Sequence, residues 1–111
     1  MGDEIDSFLE YLKDIKRYSL NTLLAYSEDL NQFVEFCEKV ESVHEWSDVT
    51  SGMIRRFGAG LMAGSLEFGE GERRRKVKPQ SAKSVNRKLS SLRSLFRYLI
   101  REGVVDTDPV E

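Results

Sequence analysis

Val85, Leu89, Leu92, Phe96 and Leu99 recur at spacings of 4, 3, 4 and 3, which places them on one face of a helix. They lie within the stretch 73–101, which holds eleven of the chain's seventeen Lys and Arg residues and no Asp or Glu. A chain carrying this stretch must bury one side of a long helix and leave cations on the other. The remaining residues carry six basic and nineteen acidic side chains, so the net charge of −2 conceals +11 in this block against −13 elsewhere. Such segregation points to a polyanionic partner. Surface helices commonly mix Glu with Lys for support at i,i+4, and this one does not.

With successive side chains about 100° apart on a helix, Gln80, Lys83, Arg87, Ser91 and Ser94 project away from the seam. Ser84 and Lys88 lie on one shoulder of that outer face. Small hydroxyls let a backbone approach, while Lys and Arg reach phosphates or base edges. Arg93, Arg97 and Arg101 fall off the centre of the face or beyond its reach. The run at 73–78 reads either as solvated loop or as charge that grazes a nucleic acid.

The rest of the chain also reads as helical. Ile5, Phe8, Leu9, Leu12 and Ile15 predict an amphipathic helix over 4–15, with acids at its start where the helix dipole favours them. Lys16, Arg17 and Tyr18 break it. A longer helix over 19–39 follows, with Ser19 as N-cap. Its apolar side carries Leu23, Tyr26, Leu30, Phe33, Val34 and Cys37. Its body is acidic, so only its first turn suits an anion, as helix N-termini do. Residues 40–49 connect, with Trp46 anchoring them to the core. A third helix spans 50–63, with Met53, Ile54, Phe57, Leu61 and Met62 as its stripe. Its glycines either permit close packing or end it early. Residues 64–78 read as a flexible Gly-rich loop. The basic helix begins near Pro79 to Ser81, reaches about Arg101, and is closed by Gly103. Asp108-Pro109 marks an extended exit. No segment shows strand periodicity, and the order helix, helix, helix, long loop, helix gives an all-α, compact bundle.

At 111 residues this is one domain, 1–111, or one module of a longer protein. No apolar run approaches the ~20 residues that cross a bilayer, so no membrane partner is expected. Cys37 is the only cysteine, which excludes an internal disulfide and fits a cytoplasmic, reducing setting. His44 is the only histidine, leaving neither a metal site nor a hydrolase triad within reach. The GEGE run lacks the Gly-Lys-Ser/Thr ending of a phosphate loop. No catalytic residue, metal, nucleotide or other cofactor is expected.

Two segments resemble the N-terminal domain of the tyrosine recombinase, or phage integrase, family, especially its Xer-like members. Residues 19–33, SLNTLLAYSEDLNQF, are similar to a pattern Ser-x-Asn-Thr-x-x-Ala-Tyr-x-x-Asp-Leu-x-x-Phe. Residues 84–99, SVNRKLSSLRSLFRYL, are similar to Thr or Ser, then Arg-x-Leu-Ser-Ala-Leu-Arg, then an aromatic and Tyr-Leu. Asp108-Pro109 stands where the family's linker often carries Asn-Pro, and the likeness covers nearly all of 5–110. It implies a SAM-like core-binding bundle of four or five helices forming half of a clamp on double-stranded DNA. The second and fourth helices would then present Ser19, Asn21 and Thr22, and Lys83, Ser84, Arg87, Lys88 and Ser91, to the DNA. The first helix would meet other recombinase protomers on DNA, with the isolated domain monomeric. Residues 104–111 would begin a linker to a catalytic domain absent from this chain. None of that domain's motifs occurs here, so this chain is not expected to cut DNA.

The competing reading is a helical protein-interaction module whose basic helix binds an acidic partner. A helix-turn-helix reader needs a tight turn before its recognition helix, and the long 64–78 loop argues against one.

Overall fold

Three hydroxyl side chains start three of the four helices in the computed structural model, which describes residues 1–69 and 71–110. Ser19 Oγ accepts from the Thr22 N–H at 3.3 Å, Thr50 Oγ1 from the Met53 N–H at 3.2 Å, and Ser81 Oγ from the Ser84 N–H at 3.2 Å. Each satisfies a donor that the first turn leaves free. The helices are α1 (Gly2–Asp14), α2 (Leu20–Lys39), α3 (Ser51–Ala63) and α4 (Ala82–Arg101). Arg17 makes the break after α1. It takes a left-handed φ of 59°, and the Tyr18 N–H closes back on the Leu12 carbonyl at 3.0 Å.

α4 packs against all three other helices, and its buried seam is wider than the expected one. Val85, Leu92, Phe96 and Leu99 are buried, joined by Leu95, while Leu89 is half-buried. An aromatic cluster ties the elements together. Phe33 of α2 meets Phe57 of α3 edge-on at 5.1 Å between centroids and stacks near Trp46 at 6.3 Å. Trp46 in turn meets Phe96 of α4 edge-on at 5.6 Å. The indole N–H donates to the Met1 carbonyl at 3.1 Å, so Trp46 does anchor its connection.

α3 runs its full expected length, and its glycines serve close packing. A Cβ at Gly60 would lie 2.5 Å from Leu66, and one at Gly64 would lie 2.5 Å from Pro79. Gly64 also needs its positive φ of 68° to end the helix, a conformation glycine adopts freely. Pro79 therefore packs on the end of α3, outside α4 rather than in its first turn.

Four expectations are corrected. The loop after α3 contains a two-stranded antiparallel ribbon, β1 (Glu67–Phe68) and β2 (Arg75–Lys76), with Glu67 opposite Lys76 and Phe68 opposite Arg75. Phe68 is buried, and Arg75 donates to Glu35 of α2 at 3.2 Å, so the ribbon is pinned at its base. Met62 and Ile15 are exposed: Met62 points off the α3 stripe, and α1 ends before Ile15. The chain after Gly103 does not leave as an extended strand. Val105 is buried, the Val110 N–H donates to Asp108 Oδ1 at 2.8 Å, and Thr107 and Pro109 line a surface concavity together with Trp46.

Cys37 is fully buried, and burial, with Glu41 and Glu38 nearby, pushes its thiol pKa up to about 12. Only the thiolate attacks a disulfide reagent. Ellman's reagent should therefore leave the native chain unmodified at pH 8 and label it stoichiometrically in urea. Rapid labelling of the native chain would contradict the packing around Cys37. Among the described residues, no helix is long and apolar enough to cross a membrane.

Candidate nucleic-acid interface

The first turns of α2, capped by Ser19, face the middle of α4, capped by Ser81. Between them lies a cleft of about 380 Å³. Asn21, Thr22, Ala25 and Tyr26 form one wall, and Arg87, Ser90 and Ser91 form the other. The cleft thus joins the two segments that the sequence marked separately.

At its floor sits Asp29 of α2, only 3% exposed. Its carboxylate accepts from Arg87 through two parallel bonds, Nη2 to Oδ1 at 3.0 Å and Nε to Oδ2 at 3.2 Å. Lys88 Nζ donates to Oδ1 at 3.1 Å, and the Ser91 hydroxyl shares its proton between the Arg87 carbonyl at 3.2 Å and Oδ2 at 3.5 Å. A buried carboxylate needs such partners, because desolvation of an unpaired charge costs several kcal/mol. Two cations on one carboxylate leave one positive charge in excess. It falls on Arg87, whose side chain is 59% exposed, because Lys88 is only 8% exposed. A guanidinium has five N–H donors in a rigid fork. Asp29 engages Nε and Nη2, so Nη1 points its donors elsewhere and the plane of the fork is held.

The predicted residues therefore divide. Asn21, Thr22 and Arg87 line the cleft and are exposed. Ser19 is exposed beside them, its hydroxyl 2.9 Å from that of Thr22. Lys83 is exposed one turn before Arg87, and Ser84 is half-buried with its hydroxyl 3.2 Å from that of Ser81. Lys88 and Ser91 turn inward. The helical wheel puts Ser91 on the outer face and Lys88 on its shoulder, but both are buried against Asp29. The reason is that α4 is flanked by three helices rather than one, so its open face is narrower than a wheel suggests.

Asp29 is the residue the wheel does not single out. A signal was present. Tyr26, Asp29, Phe33 and Phe36 are spaced 3, 4 and 3, and Val85, Lys88, Leu92 and Leu95 are spaced 3, 4 and 3. Opposite charges thus stand at seam positions of two helices, which in a packed bundle implies a buried pair.

Comparison with known proteins bears on the fold and the family. The family described as "Phage integrase, N-terminal SAM-like domain" matches residues 5–103. The "Tyrosine recombinase XerC" of Stutzerimonas stutzeri is 34% identical over 109 residues, covering 98% of this chain and 31% of that protein. The protein of the same name from Anoxybacillus flavithermus is 34% identical over 105 residues, covering 95% of this chain and 30% of its own length. The one from Roseiflexus castenholzii is 32% identical over 111 residues, covering all of this chain and 31% of that protein. The chain thus spans about a third of the length of the relatives it matches. No solved structure matches significantly. With four helices in an all-α bundle and a family match that runs from α1 to the turn after α4, this chain belongs to the phage integrase N-terminal SAM-like domain family.

Proposed function

We propose that this chain is the DNA-binding domain of a site-specific tyrosine recombinase, and that it grips one face of duplex DNA with the first turn of α2 and the open face of α4. The observation that carries this is the Asp29-anchored Arg87 at the mouth of a cleft whose other wall is Asn21 and Thr22. A fork with fixed orientation and free donors suits a guanine edge or a phosphate. Lys83 takes a neighbouring phosphate, and Ser19, Asn21, Thr22 and Ser84 supply short-range hydrogen bonds to the backbone. Lys88 and Ser91 act from beneath, by completing the bonding of Asp29. Strand cleavage and rejoining belong, in this reading, to a separate catalytic domain of the parent recombinase. Neighbouring protomers on the DNA complete the assembly.

Removing Arg87 should weaken binding without unfolding the chain, because Asp29 keeps Lys88 as its counter-ion. Loss of a bidentate guanine contact costs about 1–3 kcal/mol, or roughly 5- to 150-fold in affinity. Loss of a phosphate contact lowers the slope of log K against log salt by about 0.9. Fluorescence anisotropy with duplex DNA across a salt series distinguishes the two for Arg87→Ala and Lys83→Ala. Affinities and slopes equal to wild type in both variants would remove this face from the interface. Tight binding to poly-glutamate with no binding to duplex at low salt would favour the acidic-protein partner instead.

A further inference from the structure

The stripe of α4 that carries Arg87 does not end at the cleft. Arg87, Ser90, Ser94, Arg97 and Arg101 are spaced 3, 4, 3 and 4, so they share one helix face. Arg87 and Ser90 line the cleft, while Ser94, Arg97 and Arg101 line a second concavity of about 290 Å³. Its other side comes from the end of α1 and the turn after it, with Tyr11, Lys16 and Tyr18. Tyr18 lies beside Tyr26 at 5.9 Å between centroids. Tyr26 belongs to the cleft, so the two depressions adjoin.

This basin is built for an anion. No carboxylate lines it. Among the described residues, Lys16, Arg97 and Arg101 pair with no acid, unlike Arg87 and Lys88 of the neighbouring cleft. Arg101 is nevertheless fixed. Its guanidinium carbon lies 4.4 Å from the centre of the Tyr11 ring and 5.6 Å from that of Tyr98, and Nη1 donates to the Tyr11 hydroxyl at 3.1 Å. A cation held between aromatic faces loses little freedom when it binds. The hydrogen bond from Arg101, with Lys16 adding its charge, holds the Tyr11 phenol below its ordinary pKa. The carboxylates that act on Tyr98, Glu102 and Glu10, lie outside the lining.

We propose that this basin is a second phosphate site, in which Lys16, Arg97 and Arg101 hold one backbone phosphodiester of the same DNA duplex. The inference rests on the DNA-binding reading above. Arg97 and Arg101 follow Arg87 by 10 and 14 residues, or about 15 and 21 Å at a helical rise of about 1.5 Å. The major groove is about 12 Å wide. A helix with Arg87 over the groove therefore carries the basin past its edge, onto the far strand. The outer arginines are then a clamp at the groove's rim rather than stray surface charge.

The test is a salt titration of the 111-residue chain with a 30-base-pair duplex of mixed sequence. Arg97→Ala/Arg101→Gln should lower the slope of log K against log salt by about 0.9 for the one phosphate released. The charge-matched control Lys39→Ala/Arg55→Ala, exposed positions elsewhere on the domain, should leave it unchanged. Lys16→Ala/Arg97→Ala spares the ring stack and decides the matter if loss of Arg101 impairs folding. An unchanged slope in folded basin variants, with Arg87→Ala still weakened, overturns the second site and leaves the first intact. An equal fall in the control overturns it as well, since bulk charge would explain both. Failure of the wild type to bind duplex at low salt overturns the DNA-binding reading itself.

Discussion

Replacing Asp29 by alanine is expected to lower folding stability by about 3–5 kcal/mol, the usual result of breaking a buried pair from one side. The reason lies mainly in Lys88. Arg87 is largely exposed and can turn to water once its carboxylate is gone. Lys88 is buried between α2 and α4, and its ammonium would keep no partner among the described residues. At roughly 4–8 °C per kcal/mol for a domain near this size, the melting midpoint should fall by at least about 12 °C. Lys88→Met should cost less, because Asp29 keeps Arg87 and Ser91. The double variant Asp29→Leu/Lys88→Met should recover much of the loss, since a well-packed apolar pair often replaces a buried ion pair without penalty. Thermal melts of the wild type and the three variants test the three expectations side by side. A midpoint for Asp29→Ala within about 2 °C of wild type would mean that Lys88 escapes to solvent unaided, and the floor of the cleft would need redrawing.

Phe33→Ala should be of similar size, about 3–5 kcal/mol, by removal of a buried aromatic and creation of a cavity. Phe33 is fully buried and touches rings from three sources: Phe36 on its own helix, Phe57 on α3 and Trp46 in the connection. Trp46 is itself held by Phe96 and by the Met1 carbonyl. With its walls fixed from several elements, the cavity has little means of collapse, which favours the upper end of the range. Phe33→Leu retains much of the volume and should cost markedly less. Trp46 is the chain's single tryptophan and sits against Phe33, so its fluorescence reports the transition directly. Urea titrations should show a lower midpoint with an unchanged slope. A Phe33→Ala midpoint equal to that of Phe33→Leu would show that the cluster repacks.

The helices and their caps were legible because they are local. Ser19 announces the start of α2 within a few residues of the apolar repeat it precedes, and Gly103 closes α4 with a positive φ of 75°. The cleft was legible only in part. Asn21, Thr22 and Arg87 stand on open faces that a wheel can find. The inward turn of Lys88 and Ser91 depends on Asp29, 59 and 62 residues away, and a wheel drawn for one helix has no term for a neighbour. The ribbon after α3 escaped for a different reason. Its strands have two residues each, too short for alternation to register, and Arg75 is held by Glu35, 40 residues earlier. Phe68 was the clue: a lone large apolar residue in a charged loop usually has a core to enter.

The packing of Trp46 has a consequence for how the chain can be rewired. The Met1 carbonyl accepts from the indole N–H, while Thr107 and Pro109 line a concavity with the same residue. Both extremities of the fold therefore dock at one place, on the core and not on the cleft. Chains whose ends lie close together tolerate circular permutation, and exposed loops are where new ends are best accepted. A short Gly-Ser bridge from the region of Pro109 to Met1, with the backbone reopened in the exposed turn after α2, would keep every helix and both starts at Ser19 and Ser81. The grip on DNA would then be carried by the same residues in a different covalent order, because it depends on where α2 and α4 meet in space and not on which of them the chain reaches first.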